Sequence, residues 1–549
     1  MASSVADAVV ETLIQFGVKR VYGIPGDSLN PIIDSIRRHD EIQFIQTRHE
    51  EGAALEAAFE AKVTGKTTVC MGTSGPGSIH LLNGLYEAKM DHVPVLALTG
   101  QVETDLIGTE YFQEVNLSRI FQDVSFYSEE LRNPDSAQKI VEIAYRTSYI
   151  SRGVSHIIMP ADVLRLPCKI NKVNTIFPIP EYDFDPAPVN DLINKSSRPI
   201  VFIGNGTRGL GNEITAFAKK IGAPVIYALN AKGTVDDLDP AVLGTLGLLG
   251  TRPSVEAMKK CDLLILIGTS FPYTQFFNDD VKIIQVDTNP VNLGKRYHAD
   301  VQITASAEKF IKKINPAEKS EKFYQSLEKS KKDWMDRMHS DEQSSGNGIS
   351  PEHVASQVVS LAPADAIIVV DTGNVTVWGV RNTHVGSDRK FLFSPWLGSM
   401  GVGIPGCIGA SFGSDKMVVG IIGDGSFAMT MMELITAKKY NRNIKLVVFN
   451  NSLLGMIKFE EAVMGYPPFG VDLYNPDFSK VAEAVGIQGF RVEKKEDFQQ
   501  TLEKFMATDG PAVMDVLVDP DEKPMPPRLT FSQAKGYVTS ILREQLSLK

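Results

Sequence analysis

The chain has 549 residues, 43% of them hydrophobic and 22% charged, a composition of soluble globular proteins and a length that suits about three domains. Its 66 acidic and 56 basic side chains leave a net charge of −10, which disfavours nucleic acid as a partner. No apolar run reaches bilayer-spanning length, and the opening MASSVADAVVETLIQFGV lacks a basic segment ahead of a long apolar one, so a cytoplasmic protein is expected. Cys70, Cys168, Cys261 and Cys407 have no metal-ligand spacing and read as reduced core residues.

Apolar runs alternate with helical ones throughout, which predicts an α/β protein of three doubly wound parallel-sheet domains, at 1–175, 190–338 and 350–549. In the first, VYGIPGDSLN (21–30) is a glycine turn after a strand and carries Gly26. FIQTRHEEGAALEAAFEAKVTGK then places Glu50 after an apolar strand, at the head of an alanine-rich helix. On the residues alone, Glu50 and Glu51 are equally a solvated pair in a first helical turn. TSGPG (73–77), with Gly75, Pro76 and Gly77, is a second glycine turn. Such turns line the ligand crevice of a parallel sheet, and each serves equally as an ordinary strand-to-helix connection. Tyr111-Phe112-Gln113-Glu114 reads equally as an aromatic packed at a helix start.

The stretch 171–190, with Pro178, Pro180, Pro186 and Pro188, predicts an extended crossing into the middle domain. There RPIVFIGNGTRG, GTLGLLG (Gly247, Leu248, Leu249, Gly250), LLILIGTSFPY with Thr274 (Ser270, Phe271, Pro272, Tyr273) and KIIQVDTNP follow or flank strand ends, as a nucleotide crevice requires. Asp287, directly after its strand, is placed to accept hydrogen bonds from a ribose. The Lys/Glu-rich stretch 308–338 predicts solvent-facing helices, and 339–353 a second linker before a helix start at Ser350-Pro351. SPWLGSMGVGIPG (394–406) holds Leu397, Gly398, Ser399 and Met400 in a glycine-rich loop. Residues 417–422 predict a buried strand, 426–440 a helix and 444–449 the next strand. Asp424 of Gly423-Asp424-Gly425 and Asn451 of Asn450-Asn451 therefore face one crevice. With a loop carbonyl near Leu453 they offer the oxygen ligands of an Mg²⁺-diphosphate clamp, and the glycines let backbone approach phosphate.

The interval from Gly423-Asp424-Gly425 to Asn450-Asn451, together with the Glu50 helix, resembles the thiamine diphosphate-dependent enzymes. The resemblance implies that the Glu50 carboxyl promotes the imino tautomer of the cofactor's aminopyrimidine, which then takes the thiazolium proton. It implies Mg²⁺ at Asp424, Asn451 and Leu453, and diphosphate beside Gly425 and Ser426. The pyrimidine would lie at Gly26, Gly75, Pro76, Gly77 and Asn83 of another subunit, so a dimer is the smallest active unit and a homotetramer, a dimer of dimers, is expected. Met400 is implied as the wedge between the cofactor rings, within the loop Leu397, Gly398 and Ser399, and Gly455 and Met456 as further cofactor contacts. Phe112, Gln113, Ile457 and Glu460 would flank the substrate, although Glu460 equally suits a surface helix.

Gly268-Thr269-Ser270-Phe271-Pro272-Tyr273, followed by Val286-Asp287-Thr288-Asn289-Pro290, is similar to the flavin site of pyruvate oxidases, and the likeness extends to Pro526-Pro527 and SQAKGY (532–537). It implies FAD at Gly247–Gly250, Ser270–Thr274 and Asp287, and pyruvate as substrate. Oxidative decarboxylation would proceed through a hydroxyethyl carbanion-enamine whose electrons pass to FAD and then to a quinone or O₂. The product would be acetate, or acetyl phosphate where phosphate is the acceptor. The chain stops at TSILREQLSLK without the amphipathic extension of quinone-linked oxidases, so membrane association, at most peripheral, is expected to be weak or absent. After Phe112-Gln113-Glu114 it reads VNLSRIFQDVSFY, without the Arg-Pro and Lys pattern expected of an acetohydroxyacid synthase. Acetolactate synthase with a structural FAD, or a cofactor-binding relative without turnover, are the alternatives.

Overall fold

Runs such as VLALTGQ, LLILI and IKLVVFN are buried along their whole length, as parallel strands covered by helices on both faces must be. A computed structural model describes residues 3–177, 181–343, 348–387, 389–522 and 539–540. Among them lie three six-stranded parallel sheets. The first is built from β1 (Arg20–Gly23), β2 (Gln43–Gln46), β3 (Thr68–Gly72), β4 (Val95–Gln101), β5 (Tyr127–Glu130) and β6 (Val154–Pro160), in the order β2-β1-β3-β4-β6-β5. The second comprises β7 (Pro199–Ile203), β8 (Val225–Tyr227), β9 (Val242–Thr245), β10 (Leu263–Ile267), β11 (Lys282–Asp287) and β12 (Val301–Thr304), in the order β12-β11-β10-β7-β8-β9. The third takes β13 (Ile367–Val370), β14 (Phe391–Leu392), β15 (Val418–Gly423), β16 (Ile444–Asn450), β17 (Gln488–Val492) and β18 (Ala512–Leu517), in the order β14-β13-β15-β16-β18-β17. The three α/β sheets agree with the fold expected from sequence. The first and third repeat one strand order, whereas the second has the order of dinucleotide-binding sheets, with its switch point between β7 and β10.

Four sequence expectations change, the first being the linker expected over 339–353, whose opening residues belong to the helix Glu328–Glu342. The helix expected over 426–440 is two helices, Asp424–Thr430 and Leu434–Lys439, separated by a 3₁₀ turn at Met431–Glu433. Its break coincides with the Glu433 carboxylate turning to accept backbone N–H groups of the first domain. Pro186 and Pro188 do not lie in an extended crossing; they open the helix Ala187–Lys195, where proline's fixed φ suits the first turn. Cys168 is half-buried, whereas the other three cysteines are in the core. Pro178, Pro180, residues 344–347 of the second linker, Pro526-Pro527 and SQAKGY lie outside the described residues.

The first and third sheets share one hydrophobic core, joined where the helix Glu50–Thr64 packs on the helix Gly403–Phe412. The approach needs glycine: a Cβ at Gly409 would collide with the Glu56 carbonyl, and one at Gly406 would sit 2.8 Å from the Phe59 ring. Lys62 crosses the same boundary, donating to Glu87 and to the Phe393 carbonyl at 2.6 Å each. The second sheet is tied to the third by buried Lys232, which pairs with Asp237 at 2.9 Å and donates to the Thr383 carbonyl at 2.7 Å.

Glu56, fully buried in the helix contact, has neither carboxylate oxygen hydrogen-bonded among the described residues. Burial first, then the nearby Glu433 and Glu60, pushes its pKa well above 4.5. Folding thus favours the protonated form, and the cost of Glu56 grows as pH rises above 4.5. Glu56→Gln is expected to exceed the parent in stability at pH 8 by about 1–3 kcal/mol, with a smaller gap at pH 5. Thermal unfolding at both pH values checks this, and a gap that fails to widen with pH contradicts it.

Candidate active site

β15 and β16 are neighbours, with Gly423 opposite Phe449, so the turns that follow them open on one side of the sheet. Asp424 heads its helix in a buried position. Its carboxylate accepts from Gly425 N–H (2.9 Å), Ser452 N–H (2.6 Å) and the Asn475 amide (2.8 Å). Burial nevertheless raises its pKa to about 6. The Asn475 amide also donates to Asn450 Oδ1 at 3.0 Å, and Asn451 Oδ1 accepts from Leu453 N–H at 3.1 Å, so the two strand-end turns are fastened together. Asp371, after β13, is likewise buried and raised to about 6, and holds the Met400 loop by accepting from Gly401 (3.2 Å) and Gly403 (2.8 Å) N–H groups. Met400 Cε consequently lies 3.5 Å from where a Cβ of Gly425 would stand. Ser426 Oγ donates to the Thr372 carbonyl at 3.3 Å. Asn374 Oδ1 is buried without a partner among the described residues, and a Cβ at Gly455 would collide with the Asn374 amide. A buried carboxylate, amide oxygens and glycine-lined backbone suit an oxygen-liganded cation and the phosphates it carries.

In the first domain, His49 caps the helix Glu50–Thr64 by accepting from Glu51 N–H at 3.1 Å. Glu50 is buried; its Oε2 lies 3.1 Å from His80 Nδ1, and its Oε1 would lie 3.2 Å from a Cβ of Gly77. The His49 and His80 rings stack at 4.4 Å, and the ligand atoms of His49, Glu50 and His80 lie within 4.8 Å of one another, an arrangement suited to moving a proton. The turn holding Gly75, Pro76 and Gly77 thus meets Glu50, and the Gly26 turn packs on it through Thr73, 2.8 Å from Ser28 Oγ. Gln113, at φ 63°, presses on the same turn: its Oε1 accepts from Ser74 Oγ at 3.4 Å. Phe112 is 76% exposed beside it. Asn83 donates to Glu51 Oε1 (2.7 Å) and to Ser399 Oγ (2.9 Å), linking the Glu50 helix to the loop with Leu397, Gly398 and Met400. Ile457 and Glu460 share an exposed face of the helix Gly455–Met464, with Met456 half-buried against apolar side chains of the third domain. Among the described residues no hydrogen bond joins Glu50 to Asp424 or Asn451.

In the second domain, Gly247, at φ 114°, brings the Gly247–Gly250 turn against Phe271 and Tyr273, 3.6 and 3.5 Å from a Cβ placed there. Leu248 and Leu249 carbonyls accept from Arg381 of the third domain at 3.2 Å each. Ser270 presents its carbonyl to Arg296, whose guanidinium stands 5.0 Å over the Trp396 ring. Pro272 and Thr274 continue that turn, closed by Thr274 N–H donating to the Pro272 carbonyl at 3.0 Å. Asp287 already accepts from Asn289 N–H (2.8 Å) and the Asn292 amide (3.2 Å), which occupies part of the capacity expected for a ribose. This crevice fits a dinucleotide by strand order and by the close backbone approach of Gly204 and Gly206 to Gly268.

Sequence reading missed His49, His80, Asp371, Asn374 and Asn475. IIVVDTGN, an apolar strand followed by a glycine turn, is the one signal that could have exposed Asp371 and Asn374. Three regions match the thiamine pyrophosphate enzyme family: its N-terminal TPP binding domain at 3–120, its central domain at 187–314 and its C-terminal TPP binding domain at 371–516. The chain is 38% identical to the thiamine pyrophosphate-containing protein YdaP of Bacillus subtilis, a provisional name that specifies no reaction, over 98% of this chain and 95% of that one. It is 34% identical to a pyruvate oxidase of Lactiplantibacillus plantarum (94% and 89% covered) and 31% identical to an acetolactate synthase of Mycobacterium bovis (95% and 89%).

Asp424→Ala is expected to abolish tight binding of thiamine diphosphate with Mg²⁺ in titration calorimetry, since it removes the only anionic ligand of the proposed clamp. Because Asp424 titrates at about 6 and only its ionised form ligates, the parent's affinity should fall about tenfold between pH 7.5 and 5. Unchanged affinity in the variant contradicts the assignment.

Proposed function

The chain belongs to the thiamine pyrophosphate enzyme family, and we propose that within it the protein oxidatively decarboxylates pyruvate. Pyruvate and water give acetate and CO₂, with two electrons and two protons passing to FAD and onward to a quinone or O₂; phosphate in place of water gives acetyl phosphate. When bound, thiamine diphosphate supplies the nucleophilic carbon and electron sink for loss of CO₂. Asp424, Asn451 and the Leu453 carbonyl would hold Mg²⁺ and so orient the diphosphate, with Met400 beside Gly425 as the apolar wedge. Glu50 offers its buried carboxyl to the aminopyrimidine for proton exchange, and His80, 3.1 Å away with 44% of its side chain exposed, links that carboxyl to solvent. Phe112 and Gln113 from one side, and Ile457 and Glu460 from the other, enclose pyruvate and exclude water, which favours loss of a carboxylate. As the family resemblance implies, Glu50 and the clamp that serve one cofactor come from two copies of the chain, and the active unit is at least a dimer.

The observation that carries the oxidase reading is the Arg296–Trp396 contact. It joins the Ser270 turn of the second domain to the loop that leads to Met400, so a flavin held at that turn would border the thiamine site. The 31% likeness to an acetolactate synthase supports a second reading, in which FAD is structural and a second 2-oxo acid is the acceptor.

Glu50→Gln is expected to keep the fold and to lower pyruvate turnover by about 10²–10⁴-fold; near-parental turnover would remove its role. Anaerobic pyruvate should bleach the flavin's visible absorbance within catalytic time. A flavin that stays oxidised while acetolactate accumulates supports the synthase instead.

A further inference from the structure

The turn that ends the clamp helix reaches into the first domain. Glu433, 2% exposed, aims its carboxylate at the backbone just ahead of Glu50: Oε1 accepts from the N–H groups of Arg48 and His49 at 3.0 Å each, and Oε2 from Arg48 N–H at 3.2 Å. The Thr436 hydroxyl, 2.5 Å from Oε2, fixes the carboxylate from its own side. Gly52, in the first turn of the Glu50 helix, leaves the space, since a Cβ there would stand 2.5 Å from Oε1. Charge-assisted bonds of this kind are the strong ones, and removing the acceptor leaves two backbone donors unsatisfied.

We propose that Glu433 is a positioning residue: it fixes the backbone at Arg48 and His49 and thereby the direction of the Glu50 carboxyl. The inference rests on the reading that Glu50 activates thiamine diphosphate. Glu433 gains its place from the Met431–Glu433 turn, seven residues beyond Asp424 in the same element series, so the clamp helix and the Glu50 helix of one chain share a rigid joint. His49 also caps the Glu50 helix and stacks on His80, so a shift at its N–H moves the groups that surround Glu50.

The test uses the full chain with Glu433→Leu, Glu433→Gln and Gly52→Ala. Gly52→Ala keeps the carboxylate and adds a good helix former, so it displaces Glu433 without weakening the helix. Two quantities are read: backbone amide exchange at Arg48 and His49 in the cofactor-free chain, and exchange of the C2 proton of bound thiamine diphosphate in the presence of Mg²⁺. Glu433→Leu and Gly52→Ala should speed the amide exchange and slow C2 exchange by about tenfold or more, while thiamine diphosphate affinity stays within about threefold. Glu433→Gln, which retains the Oε1 acceptor, should recover most of both. Faster amide exchange with unchanged C2 exchange would reduce Glu433 to a structural anchor and overturn the proposal, as would unchanged amide exchange. A parent chain that binds thiamine diphosphate without accelerating C2 exchange overturns the Glu50 reading itself, which is a separate outcome.

Discussion

Two helices, Glu50–Thr64 and Gly403–Phe412, press together closely enough to require glycine at 406 and 409, and their contact merges the cores of the first and third sheets. Glu50 and the Met400 loop are both placed by that pair. One helix begins at Glu50, and the other begins three residues after Met400. Each is preceded by a turn that polar side chains hold in place: Glu433 holds the backbone before Glu50, and Asp371 holds the loop around Met400. A close-packed interior transmits displacement rather than absorbing it, so the helix contact sets the positions of both groups together.

Burial governs the electrostatics of the same region. Asp424 and Asp371 stand at about 6, and Glu433 and Glu56 are raised in the same direction by removal from water. Without an ion these carboxyls cost stability, and a divalent cation at Asp424 would repay part of that cost by stabilising its charged form. Such clusters are common where binding, rather than folding, selects the residues.

Much of the architecture was legible in the sequence. Long apolar runs between glycine turns identify the parallel strands, and the neighbouring turns that carry Asp424 and Asn451 follow from two such runs that pair side by side. The matching strand orders of the first and third sheets were not legible, since strand order is set by non-local pairing that periodicity does not encode. The 3₁₀ break at Met431–Glu433 escaped because helix-forming residues run through it and the cause lies in the other domain. Asn475 and His80 escaped for a similar reason, because a lone polar side chain declares itself only when the fold brings its partner near. The chain end around SQAKGY falls outside the described residues and adds nothing to either side.

On the proposed function, Glu50 and the Asp424 clamp act on one thiamine diphosphate held between two copies of the chain. Mixing chains that carry Glu50→Gln with chains that carry Asp424→Ala, after dissociation and reassembly, tests it directly. Half of the random dimers would be mixed, and each would hold one site with both defects and one with neither. Pyruvate turnover should therefore return to about a quarter of the parent's. Turnover that stays at the level of the separate variants would mean that every site draws both residues from a single chain, and would rule out the shared site.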